Sequence, residues 1–139
     1  MNWFYWALLS ALLAGVTAVL AKVGVEGVNS NLATAIRTCV VVIFAWLLAI
    51  PALREVGLSS ISRRTWMFLA LSGLATGLSW ICYFRALQLG KASQVAPVDK
   101  LSVVVAIVLA VLFLGERLSW KEGVGAGLIV AGALLLAFK

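Results

Sequence analysis

The chain has 139 residues, 64% of them hydrophobic and 12% charged, with no histidine and a mean hydropathy of +1.13. An ordinary soluble domain is about 45–50% apolar and about 25% charged, and a fold of this length has too little interior to hide the excess, whereas lipid accepts apolar side chains all round a helix; a soluble domain is excluded. The net charge of +6 is therefore read at a bilayer surface, where Lys and Arg set orientation and meet anionic headgroups, and nucleic-acid binding is set aside.

Crossing a hydrocarbon layer of roughly 30 Å takes about 20 helical residues. Five runs reach that length, 3–21, 31–50, 66–89, 95–114 and 120–138, so the expected fold is an all-α polytopic membrane protein, a single membrane domain over 1–139. The first run follows only Met1 and Asn2 and, at about 19 apolar residues, is longer than the apolar core of a signal peptide; it is expected to be a span. Ser10, Ala14 and Ala18 recur there at every fourth position, a spacing that lets helix backbones approach closely.

The connector GVEGVNSN (24–31) leads into the second span, which carries Arg37. Counted from Ser30, this arginine lies roughly 10 Å into the helix, deep enough to require a partner, a wet cavity or a route for the side chain to the headgroups. Cys39 here and Cys82 in the third span are read as small buried hydrophobes, because neither a disulfide nor a metal site is suggested by two cysteines inside spans without histidine. After the connector PALREVGLSSISRRT (51–65), the third span contains the pair Gly73 and Gly77, then Trp80 and Tyr83 one turn apart, then Arg85 near its end. The glycine pair is read as helix packing. The two aromatics offer either an amphipathic cavity wall or packing anchors.

GKASQ (90–94) precedes VAPVDKLSVV (95–104), where Pro97, Asp99 and Lys100 interrupt an apolar run. If the helix begins at Val95, Pro97 and Asp99 suit its first turn, since proline needs no N–H there and the positive helix end favours a carboxylate. If it begins nearer Gly90 or Ser93, Pro97 opens a break and places Asp99 and Lys100 beside a cavity. The fifth span starts at a capping box, Ser119 with Glu122 three residues on, which accounts for Glu122 without a catalytic role. Gly123, Gly127 and Ala131 continue it as a further packing stripe.

Five spans put the two ends of the chain on opposite sides. One side then holds Arg54, Arg63, Arg64, Arg117 and Lys121; the other holds Lys22, Lys91 and Lys139 at its surface and Arg37, Arg85 and Lys100 within or beside spans, which together make the eleven basic residues. So even a division permits insertion in both orientations. It also gathers Lys22, Arg37, Arg85, Asp99 and Lys100 in one half of the bilayer as a candidate cluster, in which Lys22 and Arg85 have the simpler option of reaching the headgroups.

WICYFRAL (80–87) with Gly90 and Ala92, VAP (95–97), LGERLS (114–119) and the glycine-rich last span from Gly123 to Gly132 with LLL (134–136) resemble the EamA domain of the drug/metabolite transporter superfamily. The likeness covers essentially the whole chain and is most specific in its second half. It implies a transporter of two five-span halves in opposite orientations, with a central cavity lined by the first four spans of each. With one half in this chain, a second copy is the expected inverted partner, giving an antiparallel homodimer of dual topology in the cytoplasmic membrane of a prokaryote. Related small multidrug exporters use a first-span carboxylate for cationic drugs; here that span offers only Ser10 and Thr17 before Lys22.

The embedded charges are mostly basic, which favours a carboxylate- or phosphate-bearing cargo: an amino acid, an organic acid or a phosphorylated lipid carrier. If transport is coupled to protons, Asp99 is the acidic residue that would carry them, modulated by Lys100 and Arg37; its alternative role is to neutralise a neighbouring cation. The expected path residues are Lys22, Arg37, Trp80, Tyr83, Arg85, Pro97, Asp99 and Lys100. Two further readings are a subunit that pairs with a different five-span protein and a flippase for a lipid-linked phosphate. An enzyme is not expected, since there is no histidine, no carboxylate pair at one depth and no cysteine beside a base; nor is any cofactor or metal.

Overall fold

A computed structural model describes residues 2–138; Lys139, counted above on one membrane side, and Met1 lie outside it. Helix α1 spans Trp3–Gly24, α2 Ser30–Val56, α3 Arg63–Leu89, α4 Ala92–Asp99, α5 Ser102–Leu109 and α6 Trp120–Ala137. A short 3₁₀ turn, Leu58–Ser60, joins α2 to α3, and a π turn, Ala110–Leu114, prolongs α5. With α4 and α5 forming one crossing, five helical segments are long and apolar enough to span a bilayer. No strand occurs among the described residues. Most large apolar side chains are exposed along the helices, as expected of surfaces whose solvent is lipid.

The helix starts follow local chemistry. Asn29 caps α2, its side chain accepting from Asn31 N–H at 2.9 Å, which satisfies one of the orphan donors of the first turn. Ser119 caps α6 as the sequence predicts: its hydroxyl accepts from Glu122 N–H at 3.3 Å while its own N–H donates to Glu122 Oε2 at 2.7 Å. Between them, the π turn closes on Gly115 at φ 68°, a left-handed conformation that glycine adopts without a Cβ clash, and Glu116 N–H returns to Ala110 O at 3.3 Å.

The fourth crossing departs from a helix that starts at Val95. It starts at Ala92, so Pro97 lies inside α4 and leaves the carbonyl of Ser93 without its usual donor. Three residues later the winding tightens: Lys100 N–H bonds Pro97 O at 3.1 Å, Leu101 N–H bonds Val98 O at 3.0 Å, and Val103 and Val104 repeat the same i→i−3 pattern. The join between α4 and α5 is thus an overwound turn in which Lys100 and Leu101 N–H remain bonded, and of the two readings of VAPVDKLSVV it follows the one with an interruption.

The chain divides into two compact units, one of 1–23 with 89–139 and one of 24–88. In the first, α6 packs on α4 and α5. In the second, α2 and α3 run antiparallel, and its buried residues, Val25, Ser30, Ala33, Thr34, Phe84 and Leu87, gather where α2 begins and α3 ends. One sequence expectation is corrected. Cys39 and Cys82 are exposed free thiols rather than buried ones, because a small apolar side chain on a spanning helix is as well placed against lipid as inside a core. Within their own units, a Cβ at Gly73, Gly77 or Gly127 meets nothing within 4 Å, and one at Gly123 makes only an ordinary 3.8 Å contact with Leu118.

Candidate functional site

The most developed charged arrangement lies in the unit of residues 24–88. Arg37, on the inner part of α2, holds its guanidinium carbon 4.4 Å from the ring centre of Trp80 and 5.5 Å from that of Phe84. Trp80 and Phe84 are one helical turn apart on α3, so they present two rings on one face. Each ring carries negative potential on its face, and the arginine takes its electrostatic partner there. Phe84 is only 3% exposed, which fixes the lower wall, whereas Trp80 is half-buried and keeps part of its ring open.

The neighbouring hydroxyls do not compete for this cation. Thr34 Oγ1 donates to Ser30 O at 2.8 Å and Thr38 Oγ1 to Thr34 O at 2.7 Å, both turned back along α2. Among the described residues Arg37 makes neither a hydrogen bond nor an ion pair. Among the described residues of its own unit, its N–H donors therefore have no acceptor, in a segment where polar groups are costly to leave unmet.

Nearer the membrane surface, Gln88 ties the end of α3 to the connector that leads into α2. Its Nε2 donates to Val28 O at 2.6 Å, while its Oε1 accepts from Arg85 Nη1 at 3.1 Å. Arg85 is thus exposed but held by the end of its own helix. The sequence placed Trp80 and Tyr83 together as the aromatic wall; the arginine rests instead on Trp80 and Phe84, with Tyr83 edge-on to Phe84 at 6.4 Å. The i, i+4 spacing from Trp80 to Phe84 was the available signal.

The unit of residues 1–23 and 89–139 holds the other expected path residues. Lys22, in the last turn of α1, donates from Nζ to Gly90 O at 3.0 Å, fixing the entry to α4. Lys100 Nζ lies 3.6 Å from Asp99 Oδ2, with the two side chains 55% and 36% exposed, and Pro97 stands half-buried just before them. An open groove of about 430 Å³ lies elsewhere in this unit, between the end of the fourth crossing and the start of α6. Ile107, Ala110 and Leu118 line it, with Glu116, Arg117 and Glu122 at its polar end; none of the expected path residues reaches it.

Comparison with known proteins decides the family. Residues 1–138 match the model of the EamA-like transporter family. The chain belongs to the EamA-like transporter family. An uncharacterized transporter in the cobO 3′ region of Sinorhizobium sp. is 54% identical over 136 residues, which is 98% of this chain and 96% of that protein. The uncharacterized transporter YxxF of Bacillus subtilis (strain 168) is 28% identical over 131 residues, covering 94% of this chain but 40% of its own length. No solved structure gives a significant match. This EamA protein is accordingly an integral membrane transporter of the drug/metabolite type, embedded in lipid and acting on a small molecule.

Proposed function

We propose that this EamA protein is a secondary transporter that moves a small anionic or zwitterionic metabolite, an amino acid or an organic acid, by alternating access between two copies inserted in opposite orientations. The observation that carries the reading is the sign of the embedded charge: Lys22, Arg37, Arg85 and Lys100 stand in or beside spans, against Asp99 as their acidic counterpart. Positive groups within spans mark a path for negative cargo when they face a shared cavity.

The paired arrangement is supported by three things. Five spans form an odd unit, so inverting a second copy supplies the mirror-related half of an inverted repeat. The Lys and Arg residues divide almost evenly between the two sides, which leaves little bias in orientation. A transporter-named relative is matched over 96% of its length by a five-span chain, whereas the Bacillus transporter is matched over 40%. The bacterial origin of both relatives supports the cytoplasmic membrane of a prokaryote as the location.

Two measurements test this. Purified protein in proteoliposomes is expected to give saturable uptake or exchange of labelled amino or organic acids above protein-free vesicles; no uptake of any of them overturns the reading. In a background with Cys39 and Cys82 changed to alanine, Ser59→Cys and Lys91→Cys, on connectors of opposite sides, are each expected to be labelled from outside in about half the molecules. Labelling of one and protection of the other in every copy removes the dual topology.

A further inference from the structure

We infer that Arg37 is the carboxylate-binding residue of this transporter, and that the rings of Trp80 and Phe84 set the plane of its guanidinium so that its donor edge faces a monoanionic carboxylate with an apolar body. The inference rests on the transporter reading and adds to it the ligand class and the residues that select it.

Besides water and the headgroups, an arginine this far inside a span can be settled within the protein in three ways: by a carboxylate, by backbone or hydroxyl acceptors, or by aromatic faces. The structure shows the third and not the first two. Within its unit, Thr34 and Thr38, the hydroxyls on its own helix, aim at backbone carbonyls.

Settlement through the ring faces has a geometric consequence. Where a guanidinium stacks flat on a ring, the attraction acts across its plane, and the hydrogen-bond donors lie in that plane. Stacking therefore meets the charge and leaves the fork of N–H groups available, in the planar geometry that a carboxylate fills with two parallel bonds. Lysine on the same rings would present neither the plane nor the fork.

The walls narrow the anion further. Binding here requires the ligand to shed water beside an indole and a phenyl ring, a step far harder for a doubly charged phosphate than for a single carboxylate. The open part of the Trp80 ring provides an apolar surface beside the donor edge, suited to an aliphatic or aryl body.

The test is equilibrium binding to the detergent-purified full chain, without any gradient, using acetate, benzoate and leucine as carboxylates, with benzamide and inorganic phosphate as controls. At least one carboxylate is expected to bind saturably, benzoate or leucine more tightly than acetate, and neither benzamide nor phosphate to displace it. Arg37→Lys is expected to weaken binding at least ten-fold, and Trp80→Phe several-fold while also abolishing the tryptophan fluorescence change that accompanies binding. No saturable binding of any of the three by wild type overturns the proposal, as does a folded Arg37→Lys protein that binds like wild type, or displacement by phosphate at equal concentration. Should Arg37→Lys fail to fold, the wild-type ligand series and Trp80→Phe decide it alone. Binding without uptake in vesicles counts against the transporter reading and leaves this site standing; uptake that is indifferent to Arg37→Lys removes the site and leaves the transporter.

Discussion

Arg37 stands 4.4 Å from an indole face and touches no carboxylate, whereas Lys100 has a carboxylate on the preceding residue, 3.6 Å from its amine. Span counting puts both in the same half of the bilayer, yet the two positions treat charge in opposite ways. At the Asp99–Lys100 joint, opposite charges adjoin on an overwound turn and both side chains are well exposed, so the pair largely satisfies itself. At the α2–α3 end, a lone cation is held on rings amid the buried residues of its unit, and its donors stay unused. A self-neutralised pair has little left to offer a ligand; a cation balanced by aromatic faces has a full set of donors. On the proposed reading, ligand binding therefore falls to the second region.

Arg37→Glu attacks the contrast most directly. It replaces attraction to two ring faces with repulsion, and stability is expected to fall by on the order of 2 kcal/mol, with transport below a tenth of wild type, read by denaturant unfolding in micelles and by vesicle uptake. Next in size is Leu87→Ala, at a fully buried position of the same region. Lipid already solvates apolar groups, so the loss is mainly that of packing, roughly 1–3 kcal/mol; uptake per folded molecule should hold, which separates support of the site from contact with cargo.

Smaller effects are expected at the joint. Pro97→Ala supplies an N–H for the Ser93 carbonyl and should slow amide exchange across 97–101, with a gain of about 1 kcal/mol, well below the roughly 3 kcal/mol that an interior proline costs in water. Asp99→Asn should change stability by about 0–1 kcal/mol, as an exposed ion pair does, and uptake by less than two-fold. A loss under Asp99→Asn as large as that under Arg37→Glu would erase the distinction between the regions and return proton coupling to Asp99.

The spans themselves were legible because hydropathy over about 20 residues integrates many side chains and tolerates an error in any one. Caps were legible too: Ser119 and Glu122 interact over three residues, a distance the sequence states. The start of the fourth crossing was hidden because Ala92, Ser93 and Gln94 look like connector and extend α4 all the same. The partner of Arg37 was out of reach for another reason. It sits on a different helix, and only the register of α2 against α3, pinned in part by the bond from Gln88 to Val28 O, selects Phe84 rather than Tyr83. Likewise, periodicity marked Gly73 and Gly77 as a small-residue face without saying whether anything in the same unit lies against it.

The tight turn at Lys100 and Leu101 and the π turn at Ala110–Leu114 bracket α5 with windings of opposite character. A 3₁₀ step advances about 120° per residue against about 100° in an α-helix, and a π turn advances less than either. The azimuth of each side chain in the fourth crossing is therefore reset twice along its length. A helical wheel drawn straight through 92–114 rotates its second half onto the wrong bearing, so scanning substitutions here should be sorted into lipid-facing and protein-facing sets separately for α4, for α5 and for the turn that follows.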